Sequence, residues 1–166
     1  MKSILSMALC IFMLTACNAQ SQTADGKKAV SLLKGLSNQY SNKISLGNSE
    51  TIIILSVPVT NNPFKVYDSL KTVTLKDNVF LVGGFKNPGG HGAGMPADHL
   101  RSGFVGRYGK SFLPVFLDSE SEVSAALALG GHGIVELNVK TGKISKSTDY
   151  RNKVDDFIKA LKAYKK

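Results

Sequence analysis

The sequence predicts an α/β fold: a mixed β-sheet closed by a C-terminal β-hairpin, with helices on both faces. Three observations predict it. Residues 51–59 (TIIILSVPV) and 79–85 (VFLVGGF) are short, rich in β-branched residues and almost continuously apolar. That pattern marks strands buried on both faces and paired in parallel. Segments of helical periodicity alternate with them, as helices crossing over a sheet require. Residues 111–144 (SFLPVFLDSESEVSAALALGGHGIVELNVKTGKI) then read as a strand, a short helix and a hairpin turning at Thr141-Gly142.

The chain has 166 residues and divides into three parts. Lys2 precedes an apolar stretch, residues 4–14, interrupted only by Ser6. This is too short to span a bilayer and has the build of an export signal. It ends in Leu14-Thr15-Ala16-Cys17, which resembles the lipobox of bacterial lipoproteins. The resemblance implies a signal peptide over 1–16, a lipidated (palmitate-bearing) Cys17 as the mature first residue, and a place in the cell envelope. Export across the cytoplasmic membrane and anchoring by lipid follow. Residues 17–26 then form the lipidated cysteine and a small, polar tether. Residues 27–166 form a single domain.

Within that domain Asp25 is placed to cap a first helix over 27–40, where Leu32, Leu36 and Tyr40 recur on one face. Strand 51–59 ends near Pro58, which has no N–H to give a ladder. A loop over 60–63 leads to a short helix over 64–70. Strand 79–85 is followed by KNPGGHGAGM and then a helix from about Pro96 to Tyr108, along which Leu100, Phe104 and Tyr108 form an apolar line. After a strand over 112–117, a helix over 122–129 and hairpin strands at 133–139 and from 143, a last helix is expected from about 150 to 164. Thr148 or Asp149 would cap it, and Val154, Phe157, Ile158 and Leu161 would be its buried face.

This order and spacing resemble the thioredoxin-like superfamily, of the membrane-anchored, peroxiredoxin-related kind, over residues 50–166. The resemblance implies a redox dithiol after the first central strand and a cis-proline before the hairpin. Here the first position reads Thr60-Asn61-Asn62-Pro63 and the second Gly130-Gly131-His132-Gly133. The chain's two cysteines, Cys10 and Cys17, both precede the domain. Thiol–disulfide exchange needs a thiolate, so neither oxidoreductase nor single-cysteine peroxidase activity is expected.

The formal charge of +9 comes from scattered basic residues, dense only over 162–166, and argues for a solvated surface rather than nucleic-acid binding. Gly106 to Ser111 ends like a phosphate loop but lacks the required upstream glycine, position 104 being Phe. Glycines 89, 90, 92 and 94 do not fit G-x-G-x-x-G, and no G-x-S-x-G elbow exists. What remains is topological. Loops that follow parallel strands reach one sheet edge, where ligands of open α/β sheets bind. Thr60, Asn61, His91 and His132 are therefore expected to line one shared depression, with flanking glycines presenting the imidazoles. Asp98 and His99 could join His91 and His132 as ligands of a divalent metal, although no motif spacing supports this. The expected function is a redox-inactive module that binds a small ligand or an envelope protein at that edge. The alternatives are a metal- or histidine-dependent enzyme and a purely structural envelope lipoprotein.

Overall fold

The computed structural model describes residues 25–59, 62–86 and 96–166. In chain order the elements are α1 (Asp25–Gly35), β1 (Thr51–Pro58), α2 (Pro63–Ser69), β2 (Val79–Gly84), α3 (Ala97–Tyr108), β3 (Val115–Asp118), α4 (Glu122–Ala126), β4 (His132–Asn138), β5 (Ile144–Arg151) and α5 (Val154–Ala160). The chain tightens after α5 into a 3-10 turn, Leu161–Tyr164. The five strands form one sheet in the order β3-β2-β1-β4-β5. β1 runs parallel to β2, and β2 parallel to β3. β4 lies antiparallel to β1, with Thr51 opposite Asn138, and β5 closes the hairpin. The expected mixed sheet, hairpin and helices on both faces are all present.

Strand alternation sorts the core into two layers. Ile52 and Ile54 of β1 join Phe80, Val82, Phe116, Val135 and Leu137 beneath α1 and α4. Leu55 and Val57 join Leu81, Val115, Leu117 and Ile134 beneath α2, α3 and α5. Burying each Leu, Ile or Val of this kind contributes about 1.5–3 kcal/mol. Ser56 faces the first layer, where its hydroxyl meets that of Ser124 at 2.8 Å, so neither buried oxygen lacks a partner.

The first and last helices differ from expectation. α1 stops at Gly35, short of residue 40, because the following residues cover the free edge of β3. Leu117 N–H donates to Ser37 O at 3.0 Å. The buried Gln39 amide accepts from Val115 N–H at 2.7 Å and donates to Leu113 O at 2.9 Å, taking the place of a neighbouring strand. Tyr40 leaves the expected helix face, and its hydroxyl donates to Phe112 O at 2.7 Å. At the other end, β5 continues to Arg151, so α5 begins at Val154 rather than 150. Thr148 and Asp149 are therefore strand residues opposite Ile134 and Gly133. Asp149 accepts instead from Gly130 N–H and Arg151 N–H, each at 2.9 Å. Burial works to raise its carboxyl pKa, but these amides and the Arg151 guanidinium outweigh it and hold the group below the usual aspartate value. α4 also ends early, at Ala126, where Ala128 turns to a φ of 53°.

Asp118, 3% exposed at the end of β3, caps α4. Its two oxygens accept from Glu122 N–H at 3.0 Å and Val123 N–H at 2.8 Å. Burial pushes its carboxyl above the ordinary value, against the pull of those amides. Asp118→Ala is expected to cost about 1–2 kcal/mol of unfolding free energy in urea, as loss of a helix cap does. A folded-state pKa above the unfolded one means that the contribution is full in acid and falls as pH rises through that pKa. The deficit should therefore shrink from acid to neutral pH. An unchanged urea midpoint at both would show that the cap does not hold α4.

Candidate functional site

β1 and β2 run in parallel, so the residues after them, Val59 and Phe85, emerge at the same end of the sheet. Between them, α2 and α3 leave a cavity of about 400 Å³. Pro63, Phe64 and Tyr67 of α2 form one wall, and His99, Leu100, Gly103, Phe104, Arg107 and Tyr108 of α3 form the other. The lining is almost wholly apolar and aromatic. Tyr67 and Phe104 meet edge to face at 4.9 Å, Phe85 and Phe104 at 5.8 Å. These edge contacts fix the ring positions beyond what burial alone would do. Two large apolar residues of the lining face solvent, Val59 at 41% and Phe64 at 49% exposure.

One polar atom in this wall is out of keeping with the rest. Tyr67 is 1% exposed, and its hydroxyl has no hydrogen-bond partner. Burial, with a smaller push from Tyr108, raises its pKa far above the phenol range, so the group stays a neutral donor. Leaving a buried hydroxyl unpaired costs about 1–3 kcal/mol.

The rim carries charge. The Arg107 guanidinium lies 4.4 Å over the Phe64 ring and donates to Tyr108 Oη at 3.1 Å. Asp68 binds Lys71 at 3.1 Å and Arg107 at 3.6 Å. The Lys71 contact is the main reason its carboxyl is held below the usual value, with Arg107 assisting. Arg107 thus joins the apolar wall to an ion pair at the mouth. A second cavity, about 430 Å³, lies between residues 71–80 and 111–116 and is lined in part by Lys71, Thr74, Lys76 and Asp77. It also has Phe80, Phe112 and Phe116 in its lining, but it lies at the amino ends of β2 and β3 rather than beyond their carboxyl ends.

Of the residues expected at the site, Thr60, Asn61 and His91 lie outside the described residues, as does Cys17. His99 lines the cavity. Asp98, beside it in the first turn of α3, is exposed and pairs with Arg101 at 2.7 Å. His132 corrects the expectation of an imidazole presented in a depression. It is 0% exposed, and its ring stacks on Phe157 of α5 at 5.2 Å and 24°. The reason is alternation: His132 shares a strand face with Ile134, and that face is covered by α5. Nor does Gly133 serve to expose it, since a Cβ there would come within 2.6 Å of Leu129 Cδ2. Among the described residues no group of three His, Cys, Asp or Glu side chains stands close enough to hold a metal ion.

The expected short helix over 64–70 and the apolar line of Leu100, Phe104 and Tyr108 did not include the cavity that these elements line. One signal was present. Gly103 interrupts the apolar line of α3 between Leu100 and Phe104, and a Cβ there would meet nothing within 4 Å.

Solved structures share this architecture. The N-terminal domain of PilB from Neisseria gonorrhoeae is 10% identical, with 72% of this chain and 82% of that chain covered and a TM-score of 0.54. The reduced form of the N-terminal domain of PilB from N. meningitidis is 11% identical, with 80% and 94% covered and a TM-score of 0.53. The fold is thioredoxin-like. No protein-family model matches the chain, and no curated protein matches it significantly. In this thioredoxin-like fold the cavity adjoins the start of α2.

If the Tyr67 hydroxyl is held unpaired, removing it should relieve a cost. Tyr67→Phe is expected to raise unfolding free energy by about 1 kcal/mol in urea. A less stable variant would mean that the hydroxyl already has a partner in the free protein.

Proposed function

We propose that the chain is a lipid-anchored, redox-inactive thioredoxin-like module of the bacterial cell envelope, and that it holds an apolar ligand or an apolar side chain of a protein partner in the α2–α3 cavity. The observation that carries this reading is the aromatic cavity beside the position expected for the dithiol, with an unpartnered phenol in its wall. Ligand sites are commonly apolar pockets of a few hundred Å³ with few polar groups, and this cavity fits that description. The absence of any cysteine after Cys17 supports loss of exchange chemistry. The lipobox-like Leu14 to Cys17 supports the anchor. Thr60 and Asn61, between Val59 and Asn62 in the chain, and His91, in the segment after β2, are proposed as further contacts to the ligand.

Filling the cavity tests the reading. Gly103 lines it and has open space at its Cβ. A leucine there also improves helix propensity by about 0.8 kcal/mol. The probe is 1-anilinonaphthalene-8-sulfonate, an aromatic anion. Wild type is expected to bind it saturably with a rise in fluorescence, and Gly103→Leu to lose binding by tenfold or more without losing stability. Insulin reduction in the same preparations should not exceed the protein-free rate. Equal probe binding by both proteins would remove the cavity from the proposal, and disulfide turnover would remove redox inactivity.

A further inference from the structure

The two ends of the sheet differ in what emerges from them. The cavity is at the carboxyl ends of β1 and β2. The β4–β5 turn is at the other end, because Asn138 pairs with Thr51, the first residue of β1. Eight strand residues, Thr51–Pro58, separate the ends by roughly 25 Å.

The start of the domain is fixed to that turn. Gly26 packs against Gly142 O so closely that a Cβ on it would clash. Gly142 itself has a φ of 72°, and a Cβ there would come within 2.7 Å of the Lys27 nitrogen. Two glycines are thus needed to seat the first turn of α1 on the hairpin. The tether from Cys17 therefore reaches the domain at the hairpin end. Cys17 and Asp25 are eight residues apart in sequence, a span that cannot exceed about 29 Å even when fully extended.

Lysines gather at this point. Lys27, Lys28, Lys140 and Lys143 are all exposed. Lys140 pairs with Glu50 at 2.8 Å. Among the described residues Lys27, Lys28 and Lys143 form no ion pair. Toward the cavity end Lys86 pairs with Glu120, Arg101 with Asp98 and Arg107 with Asp68, while the exposed Lys153 after β5 forms no ion pair among the described residues.

We infer that the hairpin end, through Lys27, Lys28 and Lys143, docks on anionic lipid headgroups and turns the α2–α3 cavity away from the bilayer. This rests on the anchored reading above, which brings the lysines within reach of the surface. Their free charge does the rest, since a basic group near an anionic leaflet is attracted within about one Debye length, roughly 10 Å. The partner is the lipid surface because the tether ends among these lysines and nowhere near the cavity.

The test uses the full lipidated chain in phosphatidylcholine vesicles with or without phosphatidylglycerol. Single labelling sites come from Thr141→Cys at the hairpin and Lys65→Cys on α2, each read with a fluorophore and a nitroxide headgroup quencher. With phosphatidylglycerol at low salt, quenching at 141 should exceed that at 65 several-fold. The excess should vanish in neutral vesicles and at high salt. Each of Lys27→Gln, Lys28→Gln and Lys143→Gln should lower the docked-to-free ratio about fivefold, the effect of one surface lysine. Equal quenching at both sites, or an excess that survives the triple substitution, overturns the docking while leaving the anchor standing. A chain with intact Cys17 that fails to float with vesicles of either kind overturns the anchor and the docking together.

Discussion

Strand β1 has no solvent-facing side along its centre. Ile52, Ile54, Leu55 and Val57 are all fully buried, so the backbone groups between them must be paired within the sheet. β2 supplies partners on one edge in parallel and β4 on the other in antiparallel register. That single arrangement sets the polarity of the molecule. The parallel neighbour sends its exit to the same end as β1, and the antiparallel one sends the hairpin turn to the opposite end. Cavity and hairpin turn are separated as a consequence of how one buried strand satisfies its hydrogen bonds.

The same demand explains several polar side chains of the core, and Tyr67 departs from it. Ser56 is answered by Ser124, and Gln39 by the backbone of residues 113 and 115. Asp118 is answered by the first amides of α4. Asp118 and Asp149 show how the balance falls. Both accept amide hydrogen bonds, but the more buried Asp118 is raised and the more exposed Asp149 lowered. Tyr67 has its desolvation without any compensation. Among the described residues Arg101 Nε is likewise buried without a partner, and Tyr67 differs in standing in the wall of the aromatic cavity.

Arg107 gives the cavity mouth its character. The guanidinium covers Phe64, one of two large apolar residues that face solvent among the described residues, and cation–π contact of this kind contributes about 0.5–1 kcal/mol at an exposed position. With Asp68 and Lys71 it forms an exposed ion network that is weak in each pair. It orders the mouth without closing it.

The sequence by itself determined the fold class, because continuous apolar runs at 51–59 and 79–85 can only be buried strands in a two-sided layer, and helical periodicity between them leaves few ways to cover it. It also determined that no thiol remains in the domain. Tertiary structure decided where each of these elements stops: α1 yields at Gly35 to the unpaired edge of β3, and β5 runs through Thr148 and Asp149 because β4 offers it partners. It decided His132 too, since the strand face that β4 turns toward α5 stacks the imidazole on Phe157. The cavity was beyond sequence for the same physical reason. Phe64, Tyr67, Leu100 and Phe104 have the periodicity of a packed helix face, and only the separation of α2 from α3, with Gly103 between, turns part of that face into an opening.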